Sequence, residues 1–556
     1  MTAETTIEHP AGPQSPRRWL WSLCAIWFVF AANVLLTTPL PGPNEPHYLT
    51  KALAAADPDW CARDFFLSSA NAHYCFLKLT GPLTSAFGFP AVALAGRLLC
   101  LTLLAAAWQQ LAATLLLRPL FAVLAAAIFV TVALLGSFSG EWILGGFESK
   151  VPAWALGLFA VAGWMRSIRD HNRRALTIAG ICNGAAIAFH PVVGAWFAIS
   201  IALAWLLSLW RPLRGATSND QPLLERRSSP AQLALYTLVT TVASLPGLAP
   251  AVRFLLNNDL PQKDQERAAF IQVFWRLSHH LDPWALSGQQ WLFAILVTGL
   301  ILAITIRLRR AERELFRRHC LLLSVFLISL LIAVAGVAVG WHQLPPPKIP
   351  GWQWKASLLR FYPFRFYDGM LPICLGLTSA QLLQHSSPRW LTNRPRALLA
   401  AALPALFLLA AAQRPSSPSG YTVQQHRDWT QMCNWIRQQT PSDALVLTPR
   451  ESFDFKWLAE RAEYVCYKDC PQDAAGILEW DRRLWYLHQW TLESSSDGLY
   501  DAADLQRLHR DTGCDFVLTR ILGPFASEPV CQFGEWSLYA VTVPDRAAES
   551  KPPPAE

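Results

Sequence analysis

The sequence predicts a polytopic α-helical membrane protein of about eleven transmembrane helices, followed by a C-terminal extracytoplasmic α/β domain. Three observations carry this prediction: apolar runs long enough to cross a bilayer, alternating arginine clusters between those runs, and a change of composition near residue 413. The chain of 556 residues is 53% hydrophobic and contains 25 Trp, a composition typical of membrane proteins.

The apolar runs come first in the argument. A hydrocarbon layer of roughly 30 Å requires about 20 helical residues. Runs that approach or exceed this length follow one another at 19–39, 92–116, 119–136, 151–165, 175–189, 192–210, 231–252, 290–308, 319–341, 364–384 and 397–413. The fifth and sixth runs are short, so this pair fits a tilted or partly re-entrant hairpin.

Arginine clusters set the expected orientation, because cytoplasmic loops carry an excess of Lys and Arg. These clusters precede the first run or follow even-numbered runs, as in the segment 307–318 after the eighth run. We therefore expect a multi-pass protein of the bacterial cytoplasmic membrane. Its predicted parts are a cytoplasmic tail (1–18), a transmembrane domain (19–413) with a long first outer loop (40–90), a periplasmic α/β domain (414–545) and a disordered tail (546–556).

The net charge indicates which kinds of partner to expect, and the cysteine content indicates where disulfides are permitted. The net charge of +8 comes largely from the inner loops, so it reports topology, and we predict the lipid bilayer but no nucleic acid as a partner. Cys61 and Cys75 share the first outer loop, and five more cysteines lie in the tail. An exported compartment permits disulfides there, but the pairing stays open.

The tail alternates helical and strand patterns, which predicts helices packed on a mostly parallel sheet. The expected helices are 424–439, 473–490 and 501–512, and the expected strands are 444–448, 462–467, 515–519 and 536–541. No Gly-rich phosphate loop or nucleophile elbow occurs, so the sequence assigns this domain no chemistry of its own. The segments 448–450 and 468–469 either face the membrane domain or pack structurally.

The first outer loop carries the motif Pro-Asn44-Glu45-Pro-His47-Tyr48-Leu49. One span, this loop, ten further spans and an outer tail together resemble the GT-C membrane glycosyltransferases, which include protein O-mannosyltransferases, aminoarabinose transferases and oligosaccharyltransferases. The chain resembles more closely the planctomycete-type membrane proteins with the domain of unknown function DUF6798. The segments that carry this resemblance are 44–48, 148–150, 279–283, 360–368, 447–450 and 468–474.

The resemblance implies transfer of a sugar from a polyprenyl-phosphate carrier to an acceptor at the outer face of the membrane. GT-C first loops carry a catalytic acid, so Glu45 is the expected base, and Arg360 and Arg365 at the same boundary are the expected phosphate binders. Supporting contacts are expected from His47, Asp64, Glu148, Lys150, His190, His279, His280 and Asp368. The usual acidic pair is reduced to Asn44-Glu45, so no metal ligand is assigned, although a divalent cation stays an alternative cofactor.

Plainer explanations stand beside these roles. Glu45 fits a helix start before Pro46, and Glu148 with Lys150 fits a local ion pair. His190 fits a turn between two runs. The adjacent His279 and His280 point about 100° apart on a helix, which argues against a shared zinc ion. Arg360, Arg365 and Asp368 fit an interface belt or, for the latter two, an intrahelical pair.

The contrasting function is a non-enzymatic membrane protein, either a carrier of lipid-linked or small solutes or a cell-envelope assembly factor. A transporter is expected to hold ionisable residues at mid-membrane depth. The apolar runs are almost free of such residues, which favours chemistry at the outer boundary.

The predicted topology makes residue 360 reachable from outside the cell. Arg360→Cys should react with a membrane-impermeant maleimide in intact cells, above the labelling of the parent chain. Arg309→Cys, in a predicted inner loop, should react only after permeabilisation. Labelling of residue 360 from the cytosolic side alone would contradict the orientation.

Overall fold

The computed structural model describes residues 16–170, 172–209, 230–256, 259–311, 313–386 and 420–541. Up to residue 386 the described residues form helices joined by loops. Their bounds are α1 (Pro16–Thr37), α2 (Glu45–Ala56), α3 (Phe65–Ser68), α4 (Tyr74–Phe87), α5 (Phe89–Thr114), α6 (Pro119–Leu135), α7 (Lys150–Asp170), α8 (Arg173–Phe189), α9 (Pro191–Leu209), α10 (Pro230–Leu256), α11 (Gln262–Phe270), α12 (Ser278–Leu281), α13 (Gly288–Leu308), α14 (Arg313–Gly340), α15 (Trp352–Leu359) and α16 (Pro363–Ser386). A π-helical turn, Ile271–Arg276, follows α11.

Among the described residues, six helices are long and apolar enough to cross a membrane: α1, α5, α7, α10, α13 and α14. Every predicted span from 19–39 to 364–384 coincides with a helix. The last predicted span, 397–413, lies outside the described residues, and the count of eleven is therefore not confirmed. The outward faces of these helices carry large apolar side chains, such as Leu292, Ile295 and Leu296 on α13.

Small residues bring several helices into close contact, as is common in membrane bundles. A Cβ at Gly184 of α8 would lie 2.5 Å from the Thr240 carbonyl oxygen of α10. A Cβ at Gly194 of α9 would lie 2.2 Å from the Ile187 nitrogen of α8. The hairpin of α8 and α9 is therefore held tightly closed, with His190 at its turn.

The first outer loop folds into a helical cap made of α2, α3 and α4. Pro46 occupies the first turn of α2, where a missing N–H does no harm. Lys51 of α2 is buried and donates hydrogen bonds to the Phe66 carbonyl and the Ser69 hydroxyl, each at 2.7 Å. These bonds fold the loop back on itself and so give it a defined surface.

The C-terminal unit is a small α/β domain. Its elements are α17 (Val423–Gln439), β1 (Leu445–Leu447), α18 (Phe455–Ala459), β2 (Ala462–Glu463), α19 (Ala474–Ser494), α20 (Ala502–Thr512), β3 (Phe516–Thr519), β4 (Cys531–Phe533) and β5 (Trp536–Ala540). The strand order is β2-β1-β3-β5-β4. The predicted helices and strands are present, and α18 and β4 were not predicted.

The expectation of a mostly parallel sheet is wrong. β1 pairs in parallel with β2 and β3, but β5 pairs antiparallel with both β3 and β4. The strands β4 and β5 are joined by two residues around Gly534, whose φ is +55°. So short a connection forces an antiparallel hairpin, since a parallel crossover needs a dozen residues or more.

The C-terminal unit contacts the first outer loop. Arg63 donates to Asp515 at 2.5 Å and to the Asp443 carbonyl at 3.0 Å, and the Phe89 and Trp457 rings stack at 5.0 Å. All twelve cysteines, which lie within the described ranges, are free. The two parts are therefore joined by polar and aromatic contacts, with no disulfide among the described residues.

Candidate functional site

A polar cavity of about 190 Å³ lies where the outer loops of the helical unit meet the C-terminal unit. Side chains from α2, the second and fourth outer loops, the start of α16 and the segment 468–472 line it. They are Asn44, His47, Tyr48, Glu148, Lys150, Gln272, Arg276, Leu277, His279, His280, Tyr362, Arg365, Lys468, Cys470, Pro471 and Gln472.

The cavity carries an excess of positive charge. Four of the lining residues are cationic, Lys150, Arg276, Arg365 and Lys468, against one lining carboxylate, Glu148. Burial lowers the pKa of Lys468, and the neighbouring Arg276 lowers it further. Cations crowded together out of water favour an anionic ligand, because the ligand would relieve their mutual repulsion.

Asp368 holds one wall of the cavity without lining it. Its carboxylate accepts hydrogen bonds from the backbone N–H groups of Phe138 at 2.6 Å and of Ser139 and Glu141 at 2.8 Å. The bonds fix the second outer loop against α16. Glu141 is thereby placed 3.5 Å from Arg365 Nε. The substrate contact expected from Asp368 is replaced by a positioning role.

Glu148 and Lys150 form an ion pair in the lining of the cavity. Lys150 Nζ lies 3.1 Å from Glu148 Oε1 and 3.7 Å from Glu141 Oε2, and it sits 3.9 Å above the Trp142 ring. The other Glu148 oxygen accepts a hydrogen bond from Asn44 Nδ2 at 2.7 Å. Both residues are buried, so their charges are held in place by one another.

His47 forms a hydrogen-bonded pair with Asp469 of the C-terminal unit. The His47 Nδ1 to Asp469 Oδ1 distance is 2.8 Å. Burial lowers the pKa of His47, and the bond to Asp469 opposes that shift. Burial alone would raise the pKa of Asp469, but Lys456 and His47 hold it below its ordinary value. His47 is therefore a neutral imidazole at pH 7, oriented by a carboxylate, with its Nε2 as proton acceptor.

His279 and His280 also line the cavity, with ring centroids 4.0 Å apart. His280 Nδ1 bonds to the Ser139 carbonyl oxygen and must donate there, which leaves Nε2 as the acceptor. Burial and the nearby Arg365 lower the pKa of His280 to about 2, and burial also lowers the pKa of His279. Both rings add hydrogen-bonding groups to the cavity without adding charge.

Glu45 does not line the cavity. Its carboxylate is fully buried and accepts hydrogen bonds at 2.6 Å from Arg97 Nε and Nη2, from Gly42 N and from Phe147 N. A carboxylate bound by four donors has no lone pair directed at a substrate hydroxyl. This geometry favours a structural role for Glu45 over the predicted role of base.

Three other predicted site residues also lie elsewhere. Arg360 is exposed at the end of α15, with its guanidinium 5.3 Å from the Phe361 ring. Asp64 caps α3 and accepts a hydrogen bond from Glu463 N at 3.1 Å. His190 closes the hairpin of α8 and α9 by accepting from Val193 N at 3.3 Å. None of the three lines the cavity, so the structure does not bring them together with the other predicted site residues.

Several polar residues that line the cavity were not predicted as contacts, among them Arg276, Tyr362 and Gln472, whereas Lys468 lies in a segment that was predicted to face the membrane domain or to pack structurally. Arg276 and Tyr362 stand in the same short segments as His279 and Arg365, so proximity along the chain was an available signal. Lys468 and Gln472 come from the C-terminal unit. Nothing in the sequence fixes where that unit docks.

One group of potential metal ligands lies close together among the described residues: Glu463, Cys466 and Asp469. Lys456 Nζ is already 2.8 Å from Glu463 and 2.7 Å from Asp469, and 3.4 Å from Asp64. The ammonium group supplies the positive charge that a cation would bring. These residues therefore fit a buried ion-pair cluster better than a divalent-cation site.

The buried pair of Glu45 and Arg97 generates a prediction. Arg97→Leu should lower the free energy of unfolding by about 3–5 kcal/mol, because it leaves a buried carboxylate without its counter-charge. Glu45→Gln should also lower the melting temperature in detergent, followed by intrinsic fluorescence. Arg360→Leu serves as the control, since Arg360 is exposed, and should melt with the parent. A Glu45→Gln chain of unchanged stability would return Glu45 to the list of candidate bases.

Comparison with known proteins gives a family match in the C-terminal unit and distant structural likeness over the whole chain. No curated protein sequence matches. An Archaeoglobus fulgidus oligosaccharyltransferase in complex with Zn and sulfate is similar at 14% identity and a TM-score of 0.44, covering 91% of this chain and 68% of that chain. The apo form of that oligosaccharyltransferase is similar at 12% identity and a TM-score of 0.45, covering 91% of this chain and 70% of that chain. Archaeal oligosaccharyltransferase AglB from the same organism, in complex with an inhibitory peptide and a dolichol-phosphate, is similar at 13% identity and a TM-score of 0.43. The match covers 91% of this chain and 70% of that chain. The family model for the domain of unknown function DUF6798 matches residues 427–487, which confirms the resemblance to DUF6798 in that part of the chain.

Proposed function

We propose that this protein transfers a sugar from a polyprenyl-phosphate carrier to an acceptor at the outer face of the membrane. The observation that carries the proposal is the junction between the cationic cavity and an apolar groove in the helical unit. A lipid phosphate has a charged head and a long apolar tail, and both need a complementary surface.

The groove runs between α9 and α14. Its part near the cavity, about 410 Å³, is lined by side chains that include Trp196, Val339, Phe361 and Pro363. Its continuation, about 630 Å³, is lined by Leu203, Leu206, Leu207, Ile328, Leu331, Ile332 and Ala335. The two parts share Ile332 and Ala335, so they form one apolar path along the helices.

The segment 361–365 joins the groove to the cavity. Phe361 and Pro363 line the groove, whereas Tyr362 and Arg365 line the cavity. The Arg365 guanidinium lies 4.2 Å from the Tyr362 ring, which keeps it at the cavity side. A prenyl chain lying in the groove would bring its phosphate to Arg365, with Lys150, Arg276 and Lys468 nearby.

This arrangement supports a direct displacement. The acceptor hydroxyl attacks the anomeric carbon, its proton passes to His47 Nε2, and the bond from the anomeric carbon to the phosphate oxygen breaks. Polyprenyl phosphate leaves with the bonding electrons, and the cavity cations stabilise the charge that develops on it. Asp469 stabilises the imidazolium that forms on His47, as in other carboxylate–histidine pairs.

Removal of one cavity cation should weaken donor binding. Arg365→Gln and Lys468→Gln should each reduce the affinity of the purified chain for undecaprenyl phosphate by about tenfold, because a hydrogen bond to a charged group contributes about 1.5–3 kcal/mol. Native mass spectrometry or thermophoresis in detergent measures this. Arg360→Gln is the matched control and should bind as the parent does. Equal binding of undecaprenol, which lacks the phosphate, would contradict the role of the cavity.

Turnover should follow the protonation of His47. With labelled undecaprenyl-phosphate-glucose as donor and total membranes as acceptor source, transfer should fall as the pH drops below the pKa of His47. Asp469→Asn should lower the maximal rate and move this acidic limb to lower pH, since removal of the carboxylate lowers the pKa of the imidazole. His47→Gln should abolish transfer.

The control for that profile is Glu463→Gln, which alters the cluster around Lys456 and leaves the His47 to Asp469 bond in place. Glu463→Gln should change the stability of the chain without shifting the pH at which transfer falls. If transfer by Asp469→Asn fell at the same acidic pH as transfer by the parent, His47 would not be the base. Donor binding without transfer in the parent chain would favour a lipid carrier instead of an enzyme.

A further inference from the structure

A second cavity, of about 540 Å³, lies in the C-terminal unit. Leu447 and Thr448 at the end of β1 and Leu518 and Thr519 at the end of β3 form its base. The strand order places β2 on one side of β1 and β3 on the other. The crevice therefore lies at a topological switch point, outside the carboxyl ends of two parallel strands, where open α/β sheets bind their ligands.

The walls of this crevice carry aromatic rings that the core does not bury. Trp485 of α19 is 62% exposed and stacks on His488, with centroids 5.4 Å apart and planes at 24°. Trp275, from the π-helical turn of the fourth outer loop, also lines the crevice, is 42% exposed and has its ring 5.4 Å from that of Trp480 on α19. Exposed large rings gathered in one concave site are typical of ligand-binding surfaces.

The polar lining carries hydroxyl groups and charges that balance, since Arg450 stands beside Glu451 in the lining. Thr448, Thr491 and Thr519 offer hydroxyl groups. Asp481 forms an ion pair with Arg267 at 3.0 Å. The cation in the lining set, Arg450, has its guanidinium 4.1 Å from the Tyr467 ring. The lining thus lacks the cationic excess of the first cavity and suits an uncharged ligand that has both hydroxyl groups and apolar faces.

Pyranose rings have that chemistry. Their C–H faces pack on the negative face of an aromatic ring, and their hydroxyls exchange hydrogen bonds with polar side chains at the rim. We propose that the crevice binds a neutral saccharide, and that this saccharide is the acceptor or part of it. The second half of the proposal rests on the proposed transferase function.

The two cavities are neighbours. Trp275 of the crevice is followed in the chain by Arg276 of the cationic cavity. The Tyr467 ring lies 4.9 Å from the Arg276 guanidinium and 4.1 Å from that of Arg450. An extended saccharide held on Trp485 and Trp275 would therefore reach past Tyr467 toward His47.

The test is saccharide binding by the full chain, kept in a detergent without sugar groups so that the detergent does not compete. Cellotetraose, chitotetraose and mannotetraose serve as probes, followed by saturation-transfer difference NMR and titration calorimetry. At least one should bind, and Trp485→Ala should weaken it at least tenfold without unfolding the chain, because that side chain is mostly solvent-exposed. Trp354→Ala is the matched control, since Trp354 is 51% exposed on α15, outside the crevice, and should bind as the parent does.

Absence of binding for all three probes, or equal binding by Trp485→Ala, would overturn the proposal. The assay contains no donor and no turnover. A failure here therefore leaves undecaprenyl phosphate binding intact, whereas loss of donor binding alone would remove the transferase and leave the saccharide site.

Discussion

A buried ammonium group is one of the contacts that join the two units of this protein at the site. Lys456 Nζ lies among Asp64 of the first outer loop and Glu463 and Asp469 of the C-terminal unit, at 3.4, 2.8 and 2.7 Å. Separation of the units would leave buried charges without partners, which is strongly unfavourable. Because Asp469 also binds His47, the docking that satisfies Lys456 sets the orientation of the imidazole in the cavity.

Charges in the outer part of the protein fall into two groups. Glu45 with Arg97 and Asp368 with its three backbone donors are fully paired inside the protein, and they hold loops in place. Arg276 and Lys468 line the cavity without an ion pair in the described part of the chain, whereas Arg365 lies 3.5 Å from Glu141. The paired charges build the walls, and the unbalanced ones give the cavity its preference for an anion.

The order of surfaces matches the chemistry of the lipid-linked donor and the saccharide that we propose as ligands. The apolar groove between α9 and α14 leads to Tyr362 and Arg365, and the cationic cavity leads past Tyr467 to the aromatic crevice. An apolar tail, an anionic head and a neutral polyol each meet a matching surface along this path. The C-terminal unit contributes to the last two surfaces, so it belongs to the site.

The sequence by itself determined the helices and most loops, because hydropathy and arginine placement act locally along the chain. It also selected His47, Glu148, Lys150, Arg365, His279 and His280, which the structure brings to one cavity. Only the tertiary structure distinguishes the surroundings of Glu45 from those of His47. Two residues apart on a helix point about 200° apart, so one faces Arg97 and the other the cavity. The orientation of α2 about its axis is set by packing against distant segments of the chain. The position of the C-terminal unit, which places Lys468 and Asp469 at the site, is set in the same way.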